Sequence, residues 1–310
     1  MNILLVYNTI SGRVNAKTLR KTVNVLKNRG FSIGHIRATE IGQAYTKLNN
    51  FLKEESNRNS VDIVAALGGD GLINEVINAI AYTRIPLGII PCGTTNAFAR
   101  EKGIPLSIKG SINIFEDKNR RTIDLGLLNQ KKYFLMMCSY GFDVKALSEI
   151  SLMVKKKLKV FAYIWYGIRA FLLHNPVKVS VKVEQENKFY SGYYCIINNI
   201  KSYGNPLAKI TPHASTDDGL LDICIFKNPD KYSFIKNTIG IFTSKHINYK
   251  DVVYIQTSNT VNIDIGENFK DKPDNMQVQL DGDAFTYLPV SVTCARKALD
   301  IYLPGGIKKK

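Results

Sequence analysis

Cysteine is sparse and unpaired in this chain. Cys92, Cys138, Cys195, Cys224 and Cys294 are five scattered residues among 310, with no C-x-x-C pair. An odd, dispersed set argues against a disulfide framework or a zinc site and fits a reducing compartment. Long apolar runs are missing too: no stretch reaches the roughly 18 residues a membrane-spanning helix requires. The nearest, Val160 to Leu173, is interrupted by Arg169. Met1 to Tyr7 has no basic n-region and no cleavage site, so it reads as a first strand, not a signal peptide. Repeats and low-complexity tracts are absent. The expectation is a cytoplasmic protein.

Acidic residues are outnumbered. Against 42 Lys+Arg stand 26 Asp+Glu, a formal net charge of +16. Such an excess favours anionic partners: nucleic acid, phosphate ligands or an acidic membrane surface. No recognised nucleic-acid motif is present, and no nucleic acid is expected. With 45% hydrophobic and 22% charged residues, the composition is that of an ordinary globular protein long enough for two domains.

The first third alternates strand and helix signals. Asn2–Tyr7, Phe31–Arg37, Val61–Leu67 and Pro86–Ile90 read as strands, the last two as the compact apolar runs of a buried parallel sheet. Between them, Asn15–Arg29, Gln43–Glu55 and Leu72–Tyr82 carry apolar residues at helical spacing. This order predicts a doubly wound α/β domain over residues 1–125. Beyond it, Phe134–Cys138, Val177–Glu184, Phe189–Asn198, Leu220–Phe226, Val252–Gln256, Val261–Ile265 and Met276–Leu280 read as strands separated by turns, which predicts an antiparallel β-sandwich over 126–294. Helical insertions are expected near 155–173 and 232–242. Residues 295–310 form a terminal segment that can return to the first domain. A catalytic cleft between the two domains is the expectation.

Leu67-Gly68-Gly69-Asp70-Gly71 follows a buried strand and precedes a helix. Its glycines leave no Cβ in the way, and their N–H groups and the helix N-terminus favour phosphate. Asp70 beside those phosphates can organise Mg²⁺. A tight strand-to-helix turn with a capping Asp explains the same residues without a ligand. Gly93-Thr94-Thr95-Asn96-Ala97-Phe98-Ala99-Arg100, also after a strand, can close the other side of the cradle, with Arg100 available to a phosphate or an acid. A simple helix start explains this segment equally well.

GGDG-x-x-NEV (Gly68–Val76), G-T-x-N-x-F-A-R (Gly93–Arg100), N-x-x-SG-R (Asn8–Arg13) and D-G-D (Asp281–Asp283) occur in this order along nearly the whole chain. Together they resemble the diacylglycerol kinase catalytic-domain family, and within it the soluble bacterial lipid kinases. The resemblance implies an ATP- and Mg²⁺-dependent lipid kinase, most simply one that converts diacylglycerol to phosphatidic acid. It implies nucleotide contacts for Asn8, Ser11, Gly12, Arg13, Thr39, Gly68, Gly69, Asp70, Gly71, Asn74, Gly93 and Thr94. Asp283 matches the general base and Asp70 a second catalytic carboxylate. Arg100, Asp124 and Glu75 fall to the phosphate or metal network; for Glu75, a favourable interaction with its helix dipole is an equal alternative. Ser215, Asp218 and the Leu220 carbonyl resemble a structural Mg²⁺ loop, where a hairpin turn needs no metal.

Three departures stand out. Leu72 replaces a usual Thr, which removes a hydroxyl that could meet the nucleotide or cap the helix. Ala97 stands where Asp is frequent, and Asp283 where Glu is usual. They motivate an alternative, a catalytically weak nucleotide- or lipid-binding member. Another GGDG kinase, such as an NAD kinase, is the other. The expected partners are ATP and a lipid at an anionic membrane surface, reached through Lys155–Lys159 with Val160–Leu173 and through the tail Lys308–Lys310; a homodimer stays open.

Overall fold

The computed structural model describes residues 1–9, 13–116, 119–141, 177–186, 188–203, 205–265 and 276–305. Ser11, Gly12, the 155–173 segment and the 308–310 tail lie outside them. The chain divides into two compact units: residues 1–124 with 296–310, and residues 125–295.

In the first unit, β1 (Asn2–Asn8), β2 (Ser32–Ala38), β3 (Ile63–Gly68) and β4 (Leu87–Pro91) form a parallel sheet in the order β2-β1-β3-β4. β3 and β4 are buried throughout, as their unbroken apolar sequences require. The helices are α1 (Ala16–Lys27), α2 (Gln43–Lys53), α3 (Glu55–Asn59), α4 (Asp70–Ile80), α5 (Ala97–Glu101) and α6 (Ile108–Glu116). α1 packs with α6 and α2 with α4. Asn15 caps α1, its side chain accepting from Thr18 N at 2.9 Å. α4 buries Leu72, Ile73, Val76, Ile77, Ala79 and Ile80, a wide apolar stripe of the kind that seats a helix on a sheet.

The second unit is a sandwich of antiparallel strands. The remaining strands are β5 (Arg120–Leu128), β6 (Lys132–Phe134), β7 (Met137–Tyr140), β8 (Val179–Val183), β9 (Lys188–Gly192), β10 (Tyr194–Asn198), β11 (Ser202–Tyr203), β12 (Asn205–Lys209), β13 (Leu221–Phe226), β14 (Val252–Thr257), β15 (Val261–Ile265), β16 (Gln277–Leu280), β17 (Asp283–Tyr287) and β18 (Val290–Tyr302). One sheet runs β14-β13-β10-β7-β16-β17. The other takes the start of β18, then β15, β8 and β9. Alternate residues of both sheets meet in one core: Cys138, Ile197 and Val278 come from the first, Val181, Ile263 and Val292 from the second. This is the inward face expected of packed antiparallel sheets. A single α-helix among the described residues of this unit, α7 (Lys231–Thr243), covers part of its surface and is followed by a 3-10 turn, His246–Asn248.

The chain crosses between the units inside β5 and inside β18. The end of β18 joins the parallel sheet, with Ile301 beside Leu87. Asp124 and Asp300 secure this return: Asp124 Oδ1 accepts from Lys297 N at 2.7 Å, and Asp300 accepts from Arg120 and Thr122. Lys297 sits at φ +50°, a left-handed kink within the strand.

The structure revises the sequence expectations locally. Phe134–Cys138 is not one strand but the end of β6 and the start of β7, and Phe189–Asn198 is split at Tyr193 into β9 and β10. The helix expected over Leu72–Tyr82 begins two residues earlier, at Asp70. Leu72 is therefore inside the first turn, 2% exposed, and folds back over Gly68, where an added Cβ would lie 2.6 Å from Leu72 Cδ2. The cap position belongs to Gly69, which has no side chain to offer.

Candidate active site

The ends of β1, β3 and β4 bring three loops together. Gly68 O accepts from Cys92 N at 2.8 Å, which extends the β3–β4 ladder into the loops. Beyond it, Gly69 and Gly93 approach backbone to backbone: a Cβ on Gly69 would lie 3.0 Å from Gly93 Cα, and one on Gly93 2.5 Å from Gly69 Cα. Only residues without a Cβ allow this contact. Neither glycine has a positive φ; the demand is for space.

Asn96 holds the second loop. It is buried, takes φ +49°, and grips Gly93 from both ends: its Oδ1 accepts from Gly93 N at 2.8 Å and its Nδ2 donates to Gly93 O at 3.1 Å. Asparagine tolerates the left-handed region because its short amide satisfies nearby backbone in this way. Arg13 Nη1 donates to the same carbonyl at 2.7 Å, tying the first loop to the second. Arg13 thus faces the cradle, with the rest of its guanidinium available for charge-assisted bonding. Arg100 is exposed, and its Nε donates to Thr95 O at 2.9 Å.

Asp70 lies in the first turn of α4, but its carboxylate reaches across to the start of α5. Oδ2 accepts from Ala97 N at 3.0 Å and Oδ1 from Phe98 N at 3.4 Å. The two glycine-containing segments are thereby joined by a charged acceptor at a helix N-terminus, where negative charge is favoured. Ala97 contributes its backbone N–H here, and a side-chain carboxylate at that position is missing.

The other expected nucleotide contacts are placed as follows. Asn8 ends β1 and pairs in register with Ala38 of β2, next to Thr39. Both the N–H and the hydroxyl of Thr39 donate to Gln43 Oε1, at 2.8 and 3.1 Å. Gly71 and Asn74 lie in α4, and Asn78 Nδ2 donates to Asn74 O at 2.8 Å. Thr94 is exposed. Glu75 Oε2 accepts from Ala44 N at 2.9 Å and Tyr45 N at 3.2 Å, capping α2, whose own cap residue Gly42 has no side chain to offer. The carboxylate serves the dipole of α2 rather than that of its own helix.

The D-G-D segment belongs to the second unit and is more than a turn. Asp281 is an anchor. Its Oδ2 accepts from Leu135 N at 2.8 Å, and its Oδ1 from Met136 N at 2.7 Å and Met137 N at 3.0 Å. Asp281 and Gly282 have φ +50° and +99°, and Gly282 N donates to Gln279 Oε1 at 2.7 Å. The turn so pinned presents Asp283, exposed, at the start of β17 opposite Leu280. A carboxylate with three backbone donors has no sequence signature beyond the Asp-Gly pair, so its role was not legible beforehand.

In the loop before β13, Ser215 Oγ donates to Asp217 Oδ1, and Asp218 Oδ1 accepts from Leu220 N at 3.0 Å. Among the described residues no group of three or more His, Cys, Asp or Glu side chains is arranged to hold a metal ion. Nearby, the fully buried Asp222 accepts from the Tyr254 hydroxyl and from Gln256 Nε2. Burial pushes its carboxyl up to about 6, against the lowering effect of the Tyr254 hydrogen bond.

Comparisons with known proteins agree with this layout. Residues 2–128 match the family described as "Diacylglycerol kinase catalytic domain", and residues 137–303 the "YegS C-terminal NAD kinase beta sandwich-like domain". The chain is 29% identical over 307 residues to a diacylglycerol kinase of Bacillus subtilis (strain 168), covering 97% of this chain and 95% of that protein. A diacylglycerol kinase of Staphylococcus haemolyticus is 26% identical over 309 residues, with 98% and 88% covered. A solved structure of a diacylglycerol kinase from Bacillus anthracis str. Sterne matches with a TM-score of 0.75 at 22% identity, covering 98% of this chain and 97% of that one; it carries the same fold.

Proposed function

We propose that this chain, which belongs to the family joining a diacylglycerol kinase catalytic domain to a YegS-type β-sandwich, transfers the γ-phosphate of ATP to the hydroxyl of a lipid, with diacylglycerol as acceptor and phosphatidic acid as product. The observation that carries this reading is the contact of Gly69 with Gly93, held by Arg13, Asn96 and Asp70. A cradle bare of side chains, at strand ends and at the start of the eleven-residue helix α4, suits a polyphosphate.

The residues fit the triphosphate. Backbone N–H groups of the glycine loops and the α4 dipole bind it, and Arg13 neutralises part of its charge. Mg²⁺ fits as a cation carried largely by the phosphates themselves, with Asp70 as the protein carboxylate at the start of α4. When bound, the cation spreads the charge that builds on the transferring group. In the reaction the lipid hydroxyl oxygen bonds to the γ-phosphorus and the bond to the β–γ bridging oxygen breaks. The hydroxyl proton goes to Asp283, and ADP leaves. The anchored Asp281–Gly282 turn supports Asp283 in that role, because it fixes the backbone from which the base is presented.

Transfer of labelled phosphate from ATP to diacylglycerol in mixed micelles tests the reading, run beside Asp283→Ala and beside NAD as a soluble acceptor. A labelled lipid made by the parent and not by Asp283→Ala is the expected result. Phosphorylation of NAD alone would move the assignment to the soluble-acceptor branch. Ala97 favours a second reading, a weakly active nucleotide-binding member; ATP binding without transfer to any acceptor would support it.

A further inference from the structure

Helix α7 is inverted. Its buried residues are Ser233, Asn237 and Gly240, while Tyr232, Ile235, Ile239 and Phe242 are 75%, 58%, 61% and 46% exposed. At about 100° per residue these four side chains fall within an arc of about 80°. An amphipathic helix on a globular domain normally turns such a stripe inward. Here the docking face is small and polar apart from Ile241, which packs against the cluster of Ile196, Ile210 and Phe226. Asp230 caps the helix by accepting from Ser233 N at 2.8 Å. Lys236 and Asn237 both reach Asp251. Gly240 sits so close to Tyr249 and His246 that an added Cβ would lie 2.8 and 2.9 Å from them. The orientation is therefore locked from below, and the apolar stripe faces out by construction.

The charge around the stripe says what covers it. Between Lys227 and Asp251 there are five lysines and two aspartates. Asp230 is engaged with the helix cap and Asp251 with Lys236. Lys227, Lys231, Lys245 and Lys250 are exposed. A second copy of the chain meeting this face would place like charges together, with no carboxylate on the helix to pair them. An anionic bilayer offers both an apolar layer for the stripe and phosphates for the lysines. We infer that α7 is a membrane-docking helix, which lies in the interface of an anionic bilayer with Tyr232, Ile235, Ile239 and Phe242 inserted. The inference rests on the lipid-kinase reading for its link to turnover, but docking itself requires no catalysis.

The test is sedimentation of the full chain with vesicles of equal parts phosphatidylglycerol and phosphatidylcholine, and with phosphatidylcholine alone. The parent should bind the anionic vesicles preferentially, and the preference should fade with salt. Ile235→Ser with Ile239→Ser should weaken that binding about tenfold or more. Its melting temperature should hold, since both side chains already face solvent. Lys231→Glu with Lys245→Glu should abolish the preference for anionic vesicles. Unchanged vesicle binding by the serine variant overturns the proposal. So does a parent dimer, seen by sedimentation velocity, that dissociates in the variant while vesicle binding stays. Phosphorylation of a short-chain, monomerically dispersed diacylglycerol should be unaffected by the serine changes; its absence in the parent as well would count against the kinase reading and leave docking to be judged on the vesicles.

Discussion

Gly69 and Gly93 touch through their α-carbons, and a methyl group on Gly93 would lie 2.5 Å from Gly69 Cα and 2.7 Å from Asn96 Oδ1. Both obstacles are on the loops that form the cradle. Gly93→Ala must push the two glycine loops apart. The expected outcome is a loss of ATP affinity of at least about tenfold, with a stability cost of about 1–3 kcal/mol. Calorimetric titration with ATP and a urea melt read the two effects. Parental ATP affinity would show that the contact has no part in nucleotide binding.

Asp70→Asn separates charge from shape. An amide offers one acceptor oxygen, so one of the Ala97 and Phe98 N–H groups loses its partner, and α5 loses the negative charge at its start. The expected cost is about 1–3 kcal/mol, together with loss of phosphate transfer. If the variant melts as the parent does, the link from α4 to α5 is not what Asp70 supplies.

Glu75 is predicted to act on stability alone. Glu75→Ala removes the cap of α2 and should cost about 0.5–2 kcal/mol, with turnover per folded molecule unchanged. Lost turnover at parental stability would return Glu75 to the phosphate network.

Asp222 predicts a pH effect. Its folded-state carboxyl, at about 6, lies above the ordinary value of 3.8. Between those values the folded chain binds more protons than the unfolded one, so stability falls as pH rises through this window and levels off above it. Asp222→Asn should flatten that segment of a plot of melting temperature against pH. An unchanged slope would assign the effect to other groups.

The parallel sheet and the glycine loops were legible because buried strands and glycine turns are written locally. The stripe of α4 and the run Gly68–Gly71 each declare themselves within a dozen residues. The roles of Glu75 and Asp281 were not legible. Each carboxylate serves backbone N–H groups far away in sequence, at Ala44 and at Leu135, and such pairings leave no periodicity. Leu72 is a case of another kind: the sequence shows a substitution inside a motif, and only the fold shows the leucine packed over Gly68. The 13-residue strand β18 was missed because Ala295, Arg296 and Lys297 break its alternation where the chain leaves one unit for the other.

Ile301 beside Leu87 gives the molecule an order of assembly. The edge of β4 that receives β18 is open when the first four strands leave the ribosome, and it stays open until the entire sandwich has been synthesised. An exposed edge of a buried parallel strand is a template for wrong pairing. The nascent α/β unit is therefore the part of this chain with the longest wait for its own last strand, and a ribosome stalled within the sandwich would leave it unfinished.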